Sequence, residues 1–176
     1  MSLTRRNDNL PPARRDHGGF TLVEVLVATL VMALGLLGLA GLHVASLKNT
    51  MSAGQRTETS YLAYEIADRM RANPRGVIAG NYNNQAGTED DCTGAVCTAA
   101  EVAGYDLAQW TAAVQARLPN GSGVVCIDGT PEDGSAPPGG AGCDNAGTAY
   151  AIKIWWNDTR TGDSAQYQRF VTSFVP

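Results

Sequence analysis

The sequence predicts an α+β fold in which a long N-terminal helix packs on an antiparallel β-sheet of three or four strands. The first observation behind this prediction is an apolar run from Phe20 to Val44 that continues as a helical pattern to residue 72. The second is a change to period-two alternation from Gly123 onward. The third is a pair of strand-like segments near residue 176, whose spacing favours a hairpin.

The apolar run is long enough to span a membrane, for which about 18 or more apolar residues suffice. Its only ionisable residue before His43 is Glu24. A central carboxylate costs roughly 2.5–3.5 kcal/mol on insertion scales, so an acidic residue here indicates a function. Arg14 and Arg15 precede the run, and basic flanks of this kind remain cytoplasmic.

The segment Gly18-Gly19-Phe20-Thr21-Leu22-Val23-Glu24, with the basic residues before it, resembles the start of a type IV prepilin. The resemblance implies that a prepilin peptidase/methyltransferase cuts after Gly19 and N-methylates Phe20. It also implies an assembly role for Glu24, the fifth residue of the mature chain. Its carboxylate would meet the Phe20 amine of a neighbouring subunit. A single-pass anchor with an unrelated glutamate is the alternative.

The resemblance divides the chain into a removed leader peptide at 1–19, a transmembrane and assembly helix at 20–45, and a periplasmic globular domain at 46–176. Processed segments do not enter the fold prediction. The chain has 13 basic and 17 acidic residues, of which four arginines and two aspartates lie in the leader. The mature chain would keep nine basic and fifteen acidic residues, a formal charge of −6. This acidic balance argues against a nucleic-acid-binding surface as the main function.

The helix beyond the apolar run is predicted to lie on the globular body, with Met51 and Met70 in the core. Asn73-Pro74 should end it, because the residue before a proline avoids the α region. Gly35, Gly38 and Gly41 recur in the apolar half, where they either allow close helix packing or favour a local bend. The predicted apolar stripe consists of Val44, Leu47, Met51, Leu62, Ile66 and Met70.

The second half of the chain has a predicted loop at 76–105 and a short helix from Asp106 to Leu118. Asp106 is predicted to cap this helix, Trp110 to lie in its buried stripe, and Pro119-Asn120-Gly121 to end it. Predicted strands follow at 124–127, 148–158 and 167–175. A loop rich in Gly and Pro at 128–147 and a turn at 159–163 connect them.

All four cysteines lie in this half, and they favour two disulfides in an oxidising compartment. Pairing Cys92 with Cys97 and Cys126 with Cys143 is the sequence-local choice among three connectivities. A zinc site is the alternative, although the second pair is too widely spaced for a typical one. The acidic loop residues Asp128, Glu132, Asp133 and Asp144 match no twelve-residue calcium loop, which favours a solvated loop.

Histidine is confined to His17 and His43, which leaves the predicted globular domain without any. This excludes Ser-His-Asp and Cys-His catalytic arrangements and histidine metal triads there. Paired carboxylates stay formally possible as catalytic groups, but no Gly-rich phosphate loop or other catalytic spacing is present. The sequence predicts no enzyme, no cofactor and no metal. Arg69, Arg71 and Arg75 suit the end of the long helix, where cations are stabilised, and a nucleic-acid patch is the alternative.

As a whole, the chain looks most like a PilV-type minor pilin with the type IV pilin fold. The residues behind this likeness are 62–74, Trp110 with Leu118-Pro119-Asn120-Gly121, and Trp155-Trp156-Asn157-Asp158. The likeness implies a single-pass protein of the inner membrane that enters an extracellular pilus and supports pilus assembly, twitching motility and adhesion. Its implied partners are other minor pilins, the major pilin and the inner-membrane pilus assembly machinery.

Two alternatives to this function stay open. A minor pseudopilin of type II secretion shares the leader and the fold, and only its machinery differs. A ligand-binding pilin, either an adhesin or a DNA-uptake receptor, is a different class of protein. DNA binding at low salt by residues 46–176 would distinguish a receptor from an assembly subunit.

Overall fold

The computed structural model describes residues 18–88, 92–94, 96–136, 139–158 and 167–175. The predictions for the rest of the leader and for the turn at 159–163 lie outside these residues. The described helices are α1 (Leu22–Ala72), α2 (Pro74–Ile78) and α3 (Ala99–Arg117), and the strands are β1 (Ser122–Ile127), β2 (Tyr150–Asn157) and β3 (Tyr167–Phe174). The predicted α+β fold with a long N-terminal helix and an antiparallel sheet is confirmed.

The chain divides into two compact units between Ser46 and Leu47. In the first unit every described residue is exposed. By length and composition, α1 is able to cross a membrane. Gly35, Gly38 and Gly41 lie in regular helix, and no described atom lies within 4 Å of the position that a Cβ would take on any of them. These glycines therefore leave the helix surface free for a close approach by another chain.

The second unit is organised around one buried face of α1. Leu62, Ile66 and Met70 are fully buried against α3 and the sheet. The indole of Trp110 on α3 donates a hydrogen bond to the Leu62 carbonyl at 2.9 Å. The predictions that Met70 and Trp110 belong to the core are therefore confirmed.

The prediction for Met51 is wrong, because its side chain is 55% exposed, and Leu47 is exposed as well. On α1, contact with the rest of this unit is found at Ser52, whose hydroxyl donates to the Asp158 carboxylate at 3.0 Å. Full burial is reached at Thr59. Helical spacing identifies an apolar face, but it does not specify whether that face meets the same chain.

Asn73 ends α1 as predicted and begins α2, a short helix in a region predicted to be loop. Its side-chain oxygen accepts from the Gly76 N–H at 3.2 Å, and its amide donates to the Ala99 carbonyl at 2.8 Å. Pro74 occupies the first helical turn, where its missing N–H costs nothing. One residue thus connects the end of α1 to α2 and to the start of α3.

The helix α3 starts seven residues earlier than predicted, so the assignment of Asp106 as its cap is wrong. The cap is Thr98, whose hydroxyl accepts from the Glu101 N–H, while the Glu101 carboxylate accepts from the Thr98 N–H. This is a capping box, and its T-x-x-E spacing is visible in the sequence. Asp106 lies instead inside the helix, and it is buried.

Buried Asp106 has two partners outside α3. Tyr82 donates its hydroxyl to the carboxylate at 2.6 Å, and Arg69 on α1 forms an ion pair with it at 3.3 Å. Burial, together with the hydrogen bond to Asp106, raises the pKa of Tyr82 well above its ordinary value, so the hydroxyl keeps its proton and donates. The cluster joins α1, the 81–88 segment and α3.

The sheet has the order β1-β2-β3, and both pairs are antiparallel. The predicted hairpin of the last two strands is confirmed by the pairing of β2 with β3. All eight residues of the central strand β2 are buried. Both of its faces are therefore covered, one of them by the core that includes Ile152, Ile154 and Trp156.

We predict that Tyr82→Phe lowers the free energy of unfolding by about 1–3 kcal/mol, because it leaves the buried Asp106 carboxylate without its hydroxyl donor. Urea denaturation in detergent micelles, followed by tryptophan fluorescence, measures this change. The matched control is Tyr61→Phe, which removes a hydroxyl from a side chain that is 59% exposed. Equal stabilities of the two variants would show that the Tyr82 hydroxyl does not support Asp106.

Candidate functional site

The segment predicted to be cut, Gly18-Gly19-Phe20-Thr21, precedes α1 and is not helical. All four residues are exposed, and Phe20 is 82% exposed. The Gly19–Phe20 peptide bond therefore lies in accessible backbone two residues before the first helical residue. Exposed, non-helical segments with small residues are preferred sites of proteolysis, so the geometry suits cleavage at this bond.

Thr21 sets the start of α1. Its hydroxyl accepts a hydrogen bond from the Glu24 N–H at 3.2 Å, and its carbonyl accepts from the Val25 N–H at 3.2 Å. Thr21 is thus the N-cap, and Glu24 is the third residue of the helix. The spacing Thr21-x-x-Glu24 equals that of the capping box at Thr98 and Glu101. Sequence reasoning missed this role of Thr21, although the same spacing was available as a signal.

Glu24 lies in the first turn of α1, where the unpaired backbone N–H groups and the helix dipole favour a negative charge. Its neighbours Val23, Val25 and Val27 are apolar and exposed. Within the described residues, Glu24 forms no ion pair. The helix start thus stabilises the carboxylate in part and leaves it able to take a positively charged partner from another chain.

The four predicted disulfide cysteines form the bonds Cys92–Cys97 and Cys126–Cys143. The Cα–Cα distances are 5.8 and 6.0 Å, in the usual range for a disulfide. This is the sequence-local pairing. With both pairs oxidised, no thiolate remains for the alternative zinc site.

The described residues 128–136 and 139–147, which we call the outer loop, contain the acidic residues considered above for calcium. Asp128 and Asp133 pair with the Lys153 ammonium, and Glu132 pairs with Arg169 at 3.5 Å. Asp144 accepts from the N–H groups of Gly129 and Ala146, and these bonds lower its pKa. Among the described residues, no three His, Cys, Asp or Glu side chains form a potential metal site.

The arginines at the end of α1, considered above as a nucleic-acid patch, have partners in the same chain. Arg69 pairs with Glu65 at 2.9 Å and with Asp106. Arg71 pairs with Asp68 at 2.5 Å and lies over the Phe174 ring. Two of the three cations thus have partners within the chain, which favours the structural interpretation over a nucleic-acid patch.

Two family models match the chain. One, described as "Type IV pilin Tt1218" (Tt1218-like), matches residues 41–108, and the other, described as "Prokaryotic N-terminal methylation motif", matches residues 14–40. The two matched regions adjoin and together cover more than half of the chain. No curated protein and no solved structure matches significantly. The methylation motif spans Gly19, Phe20 and Glu24, so it coincides with the exposed segment and the helix start.

We predict that Thr21→Ala destabilises the first turn of α1 by about 1 kcal/mol, because the Glu24 N–H loses its acceptor. Hydrogen exchange at residues 22–25 in detergent micelles should become several times faster, whereas Thr21→Ser should retain the native rate. Thr29→Ala is the control, since the Thr29 hydroxyl donates to the Leu26 carbonyl within the helix and caps nothing. Unchanged exchange in Thr21→Ala would show that Thr21 is not the cap.

Proposed function

Because this chain is a type IV prepilin-family protein, we propose that it is a minor pilin of the PilV type. The observation that carries the pilin role is the exposed Gly19–Phe20 junction directly before a capped apolar helix with Glu24 in its first turn. The minor-pilin type rests on the sequence likeness at 62–74, at Trp110 with 118–121, and at 155–158. The family is structural rather than enzymatic, and we assign a structural role without catalysis to this chain. The role is to join other minor pilins and the major pilin in a complex, at the pilus tip, that initiates assembly.

In this proposal, the prepilin peptidase/methyltransferase removes residues 1–19 and methylates the new amine of Phe20. Before cleavage the chain is a single-pass protein of the inner membrane. Arg14 and Arg15 favour a cytoplasmic leader and hence a periplasmic globular unit. The disulfides Cys92–Cys97 and Cys126–Cys143 suit that compartment, because it is oxidising. After assembly the globular unit belongs to an extracellular pilus that supports twitching motility and adhesion.

Glu24 is the proposed docking charge. Cleavage creates an amine at Phe20, four residues before Glu24, and the same pair of groups is present in each subunit with this motif. In a helix bundle of low dielectric, a carboxylate without a cation is unfavourable, and the attraction between opposite charges is stronger than in water. The Glu24 carboxylate of one subunit therefore stabilises a neighbour whose Phe20 amine lies at the matching offset.

The start of α1 explains how the single subunit tolerates this charge before docking. The Thr21 cap leaves Glu24 at the third helical position, where the helix dipole stabilises a carboxylate by about 0.3–1 kcal/mol. This is less than the roughly 2.5–3.5 kcal/mol that an acidic residue costs at the centre of a membrane. A position near the interface and the helix start together make the monomer viable, while a large gain on docking remains.

We predict that Gly19→Val prevents leader removal and leaves the full-length precursor in the inner membrane. A side chain at Gly19 would occupy the position directly before the cut, where the exposed backbone now has none. Mass spectrometry of the wild-type chain should find N-methylated Phe20 as the first residue. Gly18→Ala, one residue earlier, is the control and should be processed. A mature N-terminus at any other residue would contradict the prepilin processing.

We also predict that Glu24→Val leaves insertion, cleavage and both disulfides intact but lowers the amount of the chain in sheared pili at least several-fold. The reason is the loss of the carboxylate that pairs with a neighbour's amine. Thr21→Ala is the control, because it removes the cap while keeping the charge, and it should be incorporated better than Glu24→Val. Immunoblots of sheared pili and of purified minor-pilin complexes measure both variants. Normal incorporation of Glu24→Val would show that another contact docks this subunit.

A further inference from the structure

Lys153 is a fully buried lysine in the middle of the central strand β2. Its neighbours across the sheet are Val124 on β1 and Val171 on β3, so the strand pairing supplies no charge beside it. A lysine is almost never fully buried without a charged partner, since removing an ammonium from water is costly. The position therefore requires an unusually complete set of acceptors.

The acceptors come from the outer loop. The ammonium contacts the carboxylates of Asp128 and Asp133, the latter at 2.8 Å. It also contacts the carbonyl oxygens of Ala141 at 3.0 Å, Asp133 at 3.3 Å and Gly142 at 3.4 Å. Five oxygens from two stretches of the loop, 128–133 and 141–142, thus converge on one nitrogen.

This set of oxygens is chemically a cation site. Carboxylate and carbonyl oxygens from a loop are the ligands that proteins use for Ca²⁺. Here the centre is taken by an ammonium that the sheet itself provides. Without a cation, the Asp128 and Asp133 carboxylates and three carbonyl dipoles would repel one another. The charge of Lys153 therefore offsets the repulsion between these two stretches of the loop, which are also linked by the hydrogen bond from the Ser135 N–H to the Gly140 carbonyl.

A second cation on the sheet binds the same loop. Arg169 on β3 donates to the carbonyls of Asp133 and Gly134 at 2.9 and 3.0 Å, and to that of Glu132. The Cys126–Cys143 bond ties the loop to β1 at Cys143, next to the stretch 141–142. The stretch 132–134 lies farther along the chain from this disulfide, and side chains of β2 and β3 hold it.

We propose that the Lys153 ammonium is a built-in cation that holds the outer loop on the sheet in place of a metal ion. The loop then keeps one conformation on the sheet that does not depend on calcium. Burial alone would lower the pKa of Lys153, but its bonds to Asp128 and Asp133 outweigh that effect and raise it above 10.5. The ammonium therefore keeps its charge at neutral pH.

The sequence offers a direct test, because it contains only two lysines, Lys48 and Lys153. Lys48 is exposed on α1 and serves as an internal reference. The mature protein in detergent micelles is treated with an amine-acetylating reagent, once with Ca²⁺ and once with EDTA, and peptides are analysed by mass spectrometry. We expect rapid acetylation of Lys48 and protection of Lys153 in both conditions. Acetylation of Lys153 at the rate of Lys48, or protection that requires Ca²⁺, would overturn the proposal.

Two variants test the role of the charge. Lys153→Met should accelerate hydrogen exchange in segments 128–136 and 139–147 by about tenfold or more, because charge-assisted hydrogen bonds to the loop are lost. Lys48→Met is the matched control and should leave these rates unchanged. Protection of both loop segments at the wild-type level in Lys153→Met would refute the role of the ammonium.

A milder substitution covers the case in which Lys153→Met does not fold. Asp133→Asn removes one of the two carboxylates at a half-exposed position and should make acetylation of Lys153 measurably faster. Glu132→Gln is its control, since this adjacent side chain pairs with Arg169 instead. Equal acetylation of Lys153 in both variants would contradict the proposal.

Discussion

The globular unit depends above all on the burial of one face of α1, from Thr59 to Met70. Leu62, Ile66 and Met70 are each fully buried, and burying such a side chain contributes about 1.5–3 kcal/mol. Both α3 and the sheet pack on this face, and the Trp110 indole is bonded to the Leu62 carbonyl. The Asp106 cluster then fixes the register between the two helices.

The first half of α1 is also helical, but its apolar surface is exposed instead of buried. Leu26, Leu30 and Leu34 are exposed within the chain, as are the other described residues before Leu47. Exposed apolar area of this size is unfavourable in water and marks a surface that a membrane or other protein covers. One helix thus supplies an intramolecular core at one end and an exposed apolar surface at the other. In our proposal, this exposed surface serves assembly.

Much of the fold was predictable because its signals are local. The end of α1 at Asn73-Pro74, the hairpin of β2 and β3, and the burial of Trp110 and Met70 follow from backbone sterics, alternation and helical spacing. The prediction for Met51 is wrong because periodicity does not reveal whether the covering surface is in the same chain. The prediction for Asp106 is wrong because Asp favours caps in general, while the Thr98 to Glu101 capping box is a more specific signal.

At the candidate site, the leader junction and Glu24 were identifiable because their residue types and spacing are a motif. The Thr21 cap has a signal of the same kind, the T-x-x-E spacing, although these residues also belong to an apolar run of membrane-spanning length. Lys153 had no local signal at all. In the sequence it is a polar residue of an alternating strand, which predicts a solvent-facing side chain. Its burial follows only from the outer loop folding over the sheet, and that contact joins residues 11 to 25 positions apart.

Three ionisable residues, Asp106, Lys153 and Glu24, differ in whether their charges have partners within the described chain. Asp106 and Lys153 are buried, and each has partners of opposite charge in the same chain, so both contribute to the folded subunit. Glu24 has only the helix start to stabilise it within the described residues, and its neighbours Val23 and Val25 are apolar and exposed. A charge whose partners are complete gains nothing from a further subunit. A carboxylate without a cation in its own chain favours a neighbouring subunit that supplies one. It thereby selects the geometry in which that subunit docks.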